Sequence, residues 1–138
     1  MTMKPRTLIL SFLALLLAVS ALAGVVREGS FNARSDGNNI TIRWTSEDES
    51  GLLKYVLERK AGVNGAFIPL VEIQPKGNNE SYVYVDDTAF HISESLYQYR
   101  LKVVFVNGAA PMYYGPITVS HRTSDVRRTW GSIKAMFR

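Results

Sequence analysis

Hydrophobic and polar positions alternate along most of this chain in short runs, with turn residues between them. In Ile40-Thr41-Ile42-Arg43-Trp44-Thr45, the residues Ile40, Ile42 and Trp44 share one face and the polar residues share the other. The same period of two runs through Tyr55, Leu57 and Arg59, through Ser81 to Asp86, and through the long β-prone stretch that begins at Leu96. Asp36-Gly37-Asn38-Asn39, Ala61-Gly62-Val63-Asn64-Gly65, Lys76-Gly77-Asn78-Asn79 and Asn107-Gly108 punctuate these runs as turns. Strands are predicted over residues 30–34, 40–45, 54–60, 66–73, 81–86, 96–106 and 113–121. Pro69 marks the fourth as an edge. Seven short strands with no helical period among them predict an all-β, seven-stranded antiparallel immunoglobulin-like sandwich.

The two ends break this pattern. Residues 1–23 have a basic start (Lys4, Arg6), an apolar run from Leu8 to Ala18 and small residues at Ala21 and Ala23. That order predicts an export signal cleaved after Ala23, and its apolar run is shorter than the roughly 20 residues of a spanning helix. Residues 24–121 are then the sandwich, and residues 122–138 form a tail of different period. On a helix, Val126, Trp130, Ile133 and Phe137 fall within about 60° of arc. Arg127, Lys134 and Arg138 flank them on one side, so a basic amphipathic helix is predicted. Gly131 and the short length make that helix marginal alone in water, so it needs something to fold against.

Charge follows the same division. The tail carries five cations against Asp125 alone, whereas residues 24–121 carry nine cations and eleven anions. The body is mildly acidic and the basic balance sits at the ends. A nucleic-acid footprint lies across a fold rather than at its ends, so no nucleic acid is expected. The chain has no cysteine, which excludes disulfides, zinc–thiolate sites and thiol catalysis.

Three stretches resemble a fibronectin type III domain. Ile40-Thr41-Ile42-Arg43-Trp44 is similar to its second strand, with the core tryptophan. Lys54-Tyr55-Val56-Leu57-Glu58-Arg59 resembles the third. Tyr97-Gln98-Tyr99-Arg100-Leu101-Lys102-Val103 resembles the sixth, whose first tyrosine forms a corner. The resemblance implies that Trp44, Tyr55, Tyr97 and Tyr99 are structural core and that the Tyr97 hydroxyl bonds backbone a few residues upstream. Where the family has Leu-x-Pro before that tyrosine, this chain has Phe90-His91-Ile92-Ser93-Glu94-Ser95.

Candidate chemistry is sparse. In this topology Glu47, Asp48 and Glu49 lie at one end and Asp86 and Asp87 at the other, so they do not gather the six to eight oxygens of a calcium site. His91 and His121 would join Asp86 and Asp87 with no spacing that demands a metal. Solvated loops and ordinary surface residues are the expectation for all of them. No serine sits in a nucleophile signature, and no acid–base pair stands out. No catalytic residue, cofactor or metal is expected. The expectation is an exported, non-catalytic interaction or adhesion module with a protein partner. It would dock through loops, the exposed sheet or the tail residues Val126, Arg127, Trp130, Ile133, Lys134, Phe137 and Arg138. The alternative is a small cell-envelope protein held on anionic membrane by that tail.

Overall fold

The structure, a computed structural model, describes residues 24–89 and 96–121. The export segment, the stretch 90–95 and the amphipathic tail lie outside the described residues. The described residues form a seven-stranded, all-antiparallel sandwich: β1 (Asn32–Ser35), β2 (Ile40–Thr45), β3 (Leu52–Ala61), β4 (Ile68–Ile73), β5 (Ser81–Asp86), β6 (Leu96–Phe105) and β7 (Met112–Ser120). One sheet has the order β1-β2-β5 and the other β4-β3-β6-β7. Every predicted strand is present. Most ends move by one or two residues; β2 and β5 start and stop where the pattern puts them.

Alternation decides which side chains enter the core. Ile40, Ile42 and Trp44 of β2 face Tyr55 and Leu57 of β3 and Tyr97, Tyr99, Leu101 and Val103 of β6, all of them buried. Trp44 stacks on its register partner Tyr82, with ring centroids 4.9 Å apart and planes 2° from parallel. Tyr55 reaches across from the other sheet and meets both rings edge-on, at 5.5 and 5.2 Å. This edge-to-face geometry suits the ring quadrupoles. Val25 and Val26 close the core at one end. They are held by an isolated bridge from Val26 to Ser46 and by the Tyr114 hydroxyl, which accepts from both backbone N–H groups at 3.1 and 3.3 Å.

Tyr97 is fully buried and its hydroxyl donates to the Ala89 carbonyl, eight residues upstream. That bond fastens the chain leaving β5 to the start of β6. Tyr97→Phe keeps the ring and strips the donor from a buried carbonyl. A loss of about 1–3 kcal/mol is expected, read as a lower urea midpoint with an unchanged slope.

Three register shifts bend the four-stranded sheet: one where β3 meets β4 at Leu57/Glu58, a second where β6 meets β7 between Tyr99 and Leu101, and a third where β3 meets β6 between Leu52 and Lys54. At the second, Gly115 has φ +93°, and a Cβ there would lie 2.9 Å from the Tyr99 carbonyl oxygen and 3.0 Å from Phe31. Only glycine fits both that backbone and that space. The shift also corrects an expectation. Strict alternation carried back from Val119 and Ile117 puts Tyr114 on the outer face, but the extra residue turns Tyr114 inward against Leu101 while Ile117 still faces Tyr99.

Candidate interaction surface

The charged groups expected at the surface divide in two. Some are buried and structural. Glu49 lies in the acidic loop yet is buried, taking the Tyr82 hydroxyl on both carboxylate oxygens at 2.8 Å and the Gly77 N–H at 2.8 Å. Its own N–H donates to Asn78 Oδ1. The loop after β2 is thereby tied to the loop before β5. Burial, together with bonding to Glu49, pushes the Tyr82 hydroxyl up to about 12.

At the other end of β5, Asp86 is also buried rather than solvated. One of its oxygens accepts from Arg59 Nη1 and from the Tyr99 hydroxyl, each at 2.7 Å; the other accepts from the Thr88 hydroxyl and N–H. Burial alone would raise the Asp86 carboxyl. The hydrogen bonds from Thr88, Tyr99 and Arg59 and the Arg59 charge outweigh it, so the group is held below its ordinary range. The same pair of causes, burial first and then Asp86, pushes the Tyr99 hydroxyl up. His121 is buried too, its Nδ1 2.6 Å from Ser35 Oγ and its ring edge-on to Tyr97. Asp87 is exposed, and His91 lies outside the described residues. Among the described residues no three His, Asp or Glu side chains gather as metal ligands. Trp44, Tyr55, Tyr97 and Tyr99 all lie inside the sandwich. The seven named tail residues lie outside the described residues.

The arrangement facing solvent is on the outer side of the four-stranded sheet. Glu58 of β3 and Arg100 of β6 are direct cross-strand partners. Arg100 donates through Nε and Nη2 to Glu58 Oε2 at 2.9 and 2.8 Å. Its guanidinium lies between two rings, 4.1 Å from the centroid of Phe67 and 4.5 Å from that of Tyr113. Lys60 lies over Phe67 at 5.5 Å. Lysine, phenylalanine, arginine and tyrosine thus form one row across three strands, with Tyr113 48% exposed. The alternation of β6 puts Arg100 on the outer face with Gln98 and Lys102. Nothing in that pattern places Phe67 there, because it lies just before β4 and arrives by the loop. Elsewhere a concavity of about 470 Å³ opens beside β1 and β7, floored by Val26, Phe31 and Ile117. Its one inward hydroxyl, that of Tyr114, is already used by the backbone of Val25 and Val26.

These features define an all-β sandwich with an ordered cationic–aromatic face and a polar network sealed inside. No family model matches the chain, and no curated protein matches it. Among solved structures, it is similar to a DUF3823 family protein from Bacteroides ovatus, with a TM-score of 0.52 and 17% identity. The match covers 69% of this chain and 53% of that one, so the chain spans about half of that protein's length. At that identity the likeness is one of fold.

Proposed function

We propose that this chain is an exported, non-catalytic protein-interaction module of the fibronectin type III kind, docking through the outer face of its four-stranded sheet. The strand order β1-β2-β5 against β4-β3-β6-β7, the Trp44–Tyr55 contact and the Tyr97–Ala89 bond support that architecture. Export rests on the pattern of residues 1–23. The observation that carries the docking surface is Arg100 clamped between Phe67 and Tyr113 and anchored on Glu58. Arginine and tyrosine dominate the energetics of protein interfaces. Here they are already immobilised, so a partner meets them without the ordering cost that flexible side chains impose. The basic amphipathic tail is a second docking element of the same module, for a protein or an anionic membrane.

The test is a photo-cross-linker at Thr118, which pairs with Gln98 on that face, in the chain expressed in its native host. A discrete adduct is expected. Arg100→Ala with Tyr113→Ala should weaken the same partner roughly 30-fold, the loss that two kcal/mol of anchor energy represents. Capture that survives the double substitution, in protein whose thermal midpoint shows it folded, would place the contact elsewhere.

A further inference from the structure

A sheet edge is a row of unpaired N–H and C=O groups, and sequences blunt such edges with proline, lysine, bulges or short length. Three of the four edges here are blunted. β4 carries Pro69 and faces a register shift; β7 carries Pro116 and another shift; β1 has four residues and presents Arg34. β5 has neither a proline nor a register shift, and its one lysine neighbour among the described residues, Lys76, stands at the Ser81 end only. The strand runs six residues, Ser-Tyr-Val-Tyr-Val-Asp, and pairs with β2 residue for residue without a shift. Its outward side chains Val83 and Val85 are 58% and 48% exposed.

The backbone groups this edge offers follow from parity. Ser46 N–H donates to the Glu80 carbonyl at 2.9 Å, extending the β2–β5 ladder by one pair. Antiparallel pairs alternate between bonded and non-bonded. Tyr82, Tyr84 and Asp86 therefore bond β2, and Ser81, Val83 and Val85 turn their N–H and C=O groups to the open side. Lys76 Nζ, 3.2 Å from the Ser81 carbonyl oxygen, reaches that side.

We infer that β5 is a self-association edge: the β5 strands of two copies pair antiparallel and join the two three-stranded sheets into one. A twofold axis at Val83 sets Val83 against its own mate and Ser81 against Val85 of the other copy. Every outward backbone group then meets another of the same parity, and each pair exchanges both bonds. Charge selects the same arrangement. Lys76, with exposed Glu80 beside it, stands at one end of the edge and exposed Asp87 at the other; parallel pairing would set Lys76 on Lys76 and Asp87 on Asp87, whereas antiparallel pairing brings each Lys76 toward the other copy's Asp87. The strand of another protein has no reason to match both. This surface lies on the opposite sheet from the Arg100 row and does not depend on it.

The chain has no cysteine, so introduced thiols report the register cleanly. Bonded antiparallel partners sit about 5.5 Å apart at Cα, inside disulfide range. In the full chain under mild oxidation, Val83→Cys should form covalent dimer at least about tenfold faster than Val106→Cys, at an equally exposed loop site (62%). Ser81→Cys with Val85→Cys should cross-link where either alone does so poorly. In sedimentation, wild-type protein should show a concentration-dependent dimer and Val83→Lys a monomer with an unchanged thermal midpoint. Equal cross-linking at positions 83 and 106, a wild-type chain that stays monomeric at all concentrations, or a dimer that survives Val83→Lys would each overturn the inference.

Discussion

Asp86→Asn should lower the free energy of unfolding by about 3–5 kcal/mol, the cost of leaving a buried charge without its partner. The Arg59 and Asp86 side chains are only 6% and 1% exposed, and Arg59 Nε has no hydrogen-bond partner among the described residues. Once the carboxylate charge is gone, Thr88 Oγ1, the Tyr97 ring 5.6 Å away and one neutral amide oxygen are what the guanidinium keeps. For a domain of this size the thermal midpoint should fall by at least about 12 °C. The exposed pair Lys54–Glu72 is the control. It has the same chemistry at 2.6 Å, yet Glu72→Gln should cost no more than about 1 kcal/mol, because solvent screens both partners.

The pH dependence has a definite sign. The Asp86 carboxyl is lowered in the folded protein, so its contribution is complete above the unfolded carboxylate range. It drains away as pH falls through about 4 toward the folded value. Wild type and Asp86→Asn should therefore differ most near neutral pH, with the gap narrowing below about pH 4. Urea midpoints of both proteins at the two pH values measure this, and a gap that does not narrow would exclude the ionised carboxylate as its source.

Much of this arrangement is legible in the alternation. Arg59 shares parity with Tyr55 and Leu57, and Asp86 with Tyr82 and Tyr84, so each pattern points a charge at the core. Two inward charges of opposite sign call for each other. Reading Asp86 as a loop residue hid the match. Glu49 was not legible at all. It lies outside any strand, and only the fold brings the Tyr82 hydroxyl and the Gly77 N–H onto it. Tyr114 failed for another reason. A period of two holds only while the register holds, and the extra residue between Tyr99 and Leu101's partners reverses it midway along β7. Arg100 faces outward as its parity requires, but the ring that clamps it arrives from a loop. Strand patterns thus fixed the layers and the inner faces, while side chains delivered by loops and bulges escaped them.

Trp44→Ala should cost about 3–5 kcal/mol, and the reason is its position between layers. Its ring stacks on Tyr82 within one sheet and takes the edge of Tyr55 from the other. Removing it leaves a cavity that two aromatic rings fixed to separate sheets cannot both close. Tyr55→Phe is the informative contrast. The Tyr55 hydroxyl lies near the Glu49 carboxylate and the Trp44 side chain but meets neither in hydrogen-bond geometry among the described residues, so its removal takes away an unsatisfied buried group and leaves the stacking intact. A change of less than about 1 kcal/mol is expected. Urea unfolding, followed by the fluorescence of Trp44 in a Trp130→Phe background, reads the wild type and Tyr55→Phe; far-ultraviolet dichroism reads Trp44→Ala. If Tyr55→Phe proved as costly as Trp44→Ala, the hydroxyl rather than the packed rings would be holding the two sheets together.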